Sequence, residues 1–144
     1  MLQHSIARSA LVLLLTCSAG TPGRASEAEL FNQLGGLPGI QALVDGTLRH
    51  SLDDPRIKAS FDDTNIDRLK GLLTSQFCAL SGGPCIYKGR TMLASHAALG
   101  IKARQMDALV EDMQLAMAEQ HIPFPTQNRL LALLAPMRDE VVSQ

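Results

Sequence analysis

Tryptophan is absent from this chain of 144 residues, tyrosine occurs once and phenylalanine four times, so aromatics make up only 3% of it. A β-sandwich or barrel draws on aromatic and β-branched side chains, and this palette argues against one. An excess of charge is also missing: 13 Lys and Arg stand against 14 Asp and Glu, a net charge of -1. That balance leaves no electrostatic footprint for nucleic acid, and no basic stripe supplies one locally. The run from Ala10 to Leu15 is too short to cross a bilayer as a stable helix. What the chain does have is leucine, alanine, methionine and valine, within a hydrophobic content of 46%. This is the core of packed helices, in a length that suits one domain.

The N-terminus reads as an export signal, with a weakly basic start at His4 and Arg8, an apolar centre and small residues after it. Residues 1–25 are assigned to signal peptide and tether, and residues 26–144 to the folded domain. Two processing routes are open. Leu14-Leu15-Thr16-Cys17 resembles a lipoprotein box, which would acylate Cys17 and anchor the protein to a membrane, although Thr16 is unusual there. Ordinary cleavage near Ala19 or Ala25 would leave a soluble periplasmic protein. Export bears on the other two cysteines, Cys78 and Cys85, which flank a Gly-Gly-Pro loop. In an oxidising compartment such a pair is expected to form a structural disulfide. A metal site is the rival reading, but no second thiol pair completes zinc spacing.

Helical periodicity runs through the rest. Ser26 with Glu29 forms a capping box for a short first helix ending at Gly35-Gly36. Pro38 suits the first turn of a second, whose apolar positions Ile40, Leu43, Val44, Leu48 and Leu52 recur at helical spacing. Asp54-Pro55 breaks the chain. Thr64 with Asp67 is expected to cap a third helix with a buried stripe of Ile66, Leu69, Leu73, Phe77 and Leu80. Thr91 caps a short helix carrying Met92 and His96, and Gly100 stops it. A long helix over 102–121 turns Met106, Leu109, Val110, Met113 and Met117 inward, and a last one runs from Thr126 to about Val142. The class is all-α.

His96 is the residue with the most chemistry to offer. An imidazole on an apolar helix face is a ready metal ligand; it is also, commonly, a core histidine with a satisfied ring.

The order of motifs bears on that choice. Leu34-Gly35-Gly36 closes the first helix and Gly82-Gly83-Pro84 the third. Then come Tyr87-x-Gly89-Arg90-x-Met92-x3-His96-x2-Leu99-Gly100-Ile101 and Leu134-Ala135-Pro136-Met137-Arg138. Together they resemble a truncated haemoglobin of group I, over about Leu30 to Val142. The resemblance implies a two-over-two helical sandwich around haem. It implies that His96 is the proximal ligand, holding iron through Nε2 while its other nitrogen is oriented by an acceptor. By the same resemblance Phe61 wedges against the haem edge, Met92 packs on the porphyrin, and Tyr87 reaches a propionate. Core packing would account for Phe61 and Met92, and a role in its own loop for Tyr87.

The other side of the haem departs from the family. Group I members commonly carry a tyrosine midway along the second helix and a glutamine along the third; the matching positions here hold Leu48 and Leu73, with Leu69 beside them. Thr47 replaces a usual phenylalanine, and Leu72 stands where a basic propionate partner or sixth ligand is sometimes found. A hydrogen-bond donor to a polarised gas ligand is worth about 1.5–3 kcal/mol, so its loss would speed dioxygen release roughly tenfold to a hundredfold. His50 and Gln76 are the nearby polar residues, and both are expected to face solvent. The implied function is reversible binding of a diatomic gas, oxygen or else NO or CO, with an unidentified reductase maintaining the iron. A haem-dependent enzyme converting nitric oxide and oxygen to nitrate is an alternative of another class, disfavoured by the leucine pocket. A haem-free helical interaction module is a third.

Overall fold

A computed structural model describes residues 29–142, and these are helical with no strand among them. The export segment, Cys17 and the Ser26 cap lie outside the described residues. The elements are α1 (29–33), α2 (Gly36–Asp53), α3 (Ile66–Leu80), α4 (Met92–His96), α5 (Ala103–Glu119), α6 (Phe124–Leu134) and α7 (Arg138–Val141). Single 3₁₀ turns lie at Lys58–Phe61 and Ala135–Met137.

Only Leu34 and Gly35 separate α1 from α2. Gly35 and Gly36 both take positive φ, +84° and +64°, which a side chain would strain. The core then forms where α2 meets α5 and α3. Ile40, Leu43, Val44 and Leu48 of α2 pack with Phe77 of α3, Met113, Ala116 and Met117 of α5, and Leu130 of α6. The crossing of α2 and α5 is close because one side chain is missing: a Cβ on Gly46 would sit 3.0 Å from the Ala116 Cβ. The two backbones approach there without a bulky spacer.

Three boundaries differ from the sequence expectation, each for a local reason. Asn65, not Thr64, caps α3, its Oδ1 accepting from the Arg68 N–H at 2.9 Å; asparagine ranks at or above threonine in that role. The last helix begins at Phe124 and does not run unbroken. Pro136 has no N–H to donate, and the chain tightens into a 3₁₀ turn there before resuming as α7. The buried face of α5 also includes an acid that apolar periodicity passes over. Asp112 is buried, and its Oδ2 accepts from the buried Ser51 hydroxyl at 2.9 Å.

Burial holds the Asp112 carboxyl above its ordinary value. The Asp54 charge adds to this, while Ser51, Arg56 and His50 pull the other way. The folded protein therefore keeps this proton at pH values where the unfolded chain has released it. Its contribution to stability is full at low pH and is lost as pH rises through the folded value. Asp112→Asn cannot ionise and can still bond Ser51. Its melting temperature relative to the parent is expected to be higher at about pH 7 than at about pH 3, by calorimetry; an offset independent of pH would show that the acid carries no such penalty.

Candidate functional site

A cavity of about 270 Å³ opens between α3 and the pair α4 and α5, and a narrower recess of about 110 Å³ adjoins it. Leu69, Leu72 and Leu73 of α3 line the cavity, with Leu48 reaching it from α2. From the other elements come Met92 and His96 of α4, Met106 and Leu109 of α5, and Phe61 at the end of the 3₁₀ turn. The leucines of α3 recur at helical spacing, so they share one face. The lining is largely apolar, with Ser60, Thr64, Gln76, Tyr87 and Ser95 as its polar members and a single imidazole, His96.

How that imidazole is held follows from the short helix beneath it. Thr91 caps α4 through its Oγ1, which accepts from the Ala94 N–H at 3.2 Å. The Leu93 N–H, left without a partner in the first turn, donates to the Glu140 carboxylate of α7 at 3.2 Å. On α4 the His96 Nδ1 lies 2.8 Å from the Met92 carbonyl oxygen. A carbonyl can only accept, so Nδ1 carries a proton, and in the neutral ring Nε2 is the nitrogen with the lone pair. His96 faces both the cavity and the recess.

The loop before α4 is stapled at its start. Cys78, fully buried in the core, is bonded to Cys85, with their Cα atoms 5.7 Å apart. Tyr87 lines the cavity with its ring, but its hydroxyl donates to the Arg90 carbonyl at 2.9 Å, inside its own loop. Phe61, Leu48, Leu69, Leu72, Leu73, Tyr87, Met92 and His96 thus line one cavity, and Thr47 faces the recess with its hydroxyl donating to the Leu43 carbonyl.

The two polar residues expected to face solvent part company. His50 stays outside the cavity, its Nε2 3.0 Å from a Glu119 carboxylate oxygen on the surface of α5. Gln76 does not face solvent. It is 6% exposed and lines the cavity and the recess. Helical geometry explains this, since Gln76 lies three residues after Leu73 and four after Leu72, on the face already turned inward. Met106 and Leu109 were readable as inward positions of α5; that they belong to the site depends on how α5 crosses the other helices.

Among the described residues no group of three His, Cys, Asp or Glu side chains is placed to hold a metal ion. A lone imidazole in an apolar slot does not suit zinc, which takes three or four protein ligands. It suits an iron whose equatorial positions a macrocycle already fills. The fold and this site together define a haem-binding helical protein.

Comparison with known proteins agrees. Residues 29–143 match the model of the bacterial-like globin family. The group 1 truncated hemoglobin GlbN of Mycolicibacterium paratuberculosis is 27% identical over 120 residues, covering 83% of this chain and 88% of that protein. The crystal structure of truncated hemoglobin from Tetrahymena pyriformis in its Fe(III) form superposes with a TM-score of 0.76 at 24% identity, over 80% of this chain and 98% of that one. The 2/2 hemoglobin of Synechococcus sp. PCC 7002, in the cyanomet state with covalently attached heme, gives a TM-score of 0.74 at 21% identity, over 80% and 98%. The last two likenesses speak to the fold. The chain belongs to the bacterial-like globin family; it is a haem-binding globin with the truncated-haemoglobin fold.

The staple should matter to stability. Closing a loop this short is worth about 2.5 kcal/mol through the unfolded state. Cys78→Ser with Cys85→Ser is expected to lose that amount in denaturant unfolding. Thiol counting on the denatured parent before reduction should find neither of these two cysteines free.

Proposed function

We propose that this globin binds a diatomic gas reversibly at haem held through Nε2 of His96, with dioxygen as the principal ligand. The observation that carries the reading is the His96–Met92 hydrogen bond. It fixes the tautomer, aims the free nitrogen, and makes the ring more basic toward a metal. Phe61 and Met92 would pack against the macrocycle, while Leu48, Leu69 and Leu73 would shape the space for the ligand. Haem supplies the iron that takes up the gas; the protein's part is to hold it by one nitrogen and keep water out of an apolar slot. That slot contains no acid–base pair of the kind that peroxide or nitric oxide chemistry would use, so gas binding is favoured over turnover.

The Cys78–Cys85 bond supports an oxidising location. We take the protein to be exported, either soluble in the periplasm or anchored through a lipid on Cys17, with a separate reductase keeping the iron ferrous.

Absorption spectra of the purified protein in ferric, ferrous and carbonmonoxy forms test the assignment. The parent should show a Soret band after haem addition. His96→Ala should lose most of its haem affinity and regain a parent-like spectrum with added imidazole. A variant that keeps the parent spectra unaided would show that another residue holds the iron.

A further inference from the structure

The two sulfurs of the disulfide sit in unlike surroundings. Cys78 is fully buried in the core. A Cβ on Gly83 would lie 2.7 Å from the Cys78 Sγ and 2.5 Å from the Phe31 ring, so this glycine is packed against both and closes that approach. Cys85 is only partly buried. It lines a surface groove of about 490 Å³ between α2 and α3, which Gln41, Asp45, Lys70 and Thr74 also line. Gly71 widens the groove, since a Cβ there would meet nothing within 4 Å. The loop that follows has little else to hold it. Among the described residues, no hydrogen bond or ion pair ties residues 84–90 to another segment; the Tyr87 bond to Arg90 is internal. Yet this loop supplies Tyr87 to the cavity wall and leads into Thr91, the cap of α4.

We propose that Cys85 is a thiol-exchange site through which a dithiol reductant loosens the haem pocket. Its consequence for haem rests on the reading above; its chemistry does not. A thiolate of the reductant enters the groove and attacks Cys85 Sγ. A bond forms between those two sulfurs, the Cys78–Cys85 bond breaks, and the electron pair leaves on Cys78 Sγ, which takes up a proton. The reductant's second thiolate then displaces Cys85 as a thiolate, which is protonated in turn. The reductant ends as a disulfide and the protein as two thiols, so a dithiol supplies both electrons and both protons. A monothiol stops at the mixed disulfide, which the adjacent Cys78 sulfur can displace again. A reduced Cys78 is a small apolar residue at home in the core, so α3 keeps its packing. Only the loop is released, and with it the steadiness of Tyr87 and of the α4 cap.

The folded protein reduced with dithiothreitol and alkylated with iodoacetamide tests both halves. Mass spectrometry should find the label on Cys85, with Cys78 unlabelled until denaturant is added. Once the reagents are removed, haem transfer to excess apomyoglobin should run about tenfold faster than from the oxidised parent, the change that ~1.4 kcal/mol makes. Helical circular dichroism should be retained. Cys85→Ala never forms the bond; it should release haem at the faster rate and be indifferent to dithiothreitol. Labelling of Cys78 in the folded protein, or a bond that dithiothreitol does not open without denaturant, would overturn the exchange site. Unchanged haem release after full reduction, or loss of helix on reduction, would overturn the local loosening. A parent that takes up no haem would overturn the consequence together with the reading beneath it, while the label still decides the exchange site.

Discussion

A helix of five residues has no stability of its own in water, because nucleating the first turn costs more than one hydrogen bond returns. Yet α4 has to hold an imidazole in a fixed direction, and the one contact inside it that does so, from His96 to the Met92 carbonyl, is only as steady as the helix itself. The rigidity is imported. Thr91 ties its first turn from the preceding loop, Glu140 ties the Leu93 N–H from α7, and the disulfide fixes the far end of the loop to the buried end of α3. On that support His96 Nδ1 bonds the Met92 carbonyl and the ring lines the cavity. The direction of one lone pair is thus a property of four separate segments.

The few aromatics gather at the site, Phe61 and Tyr87 in the cavity and Phe77 in the recess, and methionines fill in around them: Met92, Met106, Met113 and Met137 all reach the recess. Unbranched thioethers adapt to an irregular space at low cost, and their sulfurs offer a buried amide a contact short of a full hydrogen bond. The same composition that excludes a β-sandwich supplies a soft wall next to Gln76.

Much of this could be read before any coordinates. Helical period located α2, α3 and α5, and Thr91 and Gly100 bracketed α4, because each is a local signal. The class of site also came through, as the order of glycine turns around His96 is a pattern of the chain and not of its folding. What escaped depended on contacts between distant segments. Asp112 and Gln76 are polar residues at inward helical positions, and composition argues for solvent wherever geometry is not consulted. Pro136 marked a break that periodicity alone would run through, since Leu134, Met137 and Val141 keep an apolar face on both sides of it. The Asn65 cap was a choice between neighbours that only the backbone could make.

The break at Pro136 has a consequence for how the site can come apart. It precedes α7, whose Glu140 accepts from the Leu93 N–H of α4 across 47 positions of sequence, so the short helix that carries His96 leans on the last described helix of the chain. Short elements with few buried contacts open more readily than a packed crossing such as that of α2 and α5. Loosening of α7 therefore reaches the His96 ring without first disturbing the core.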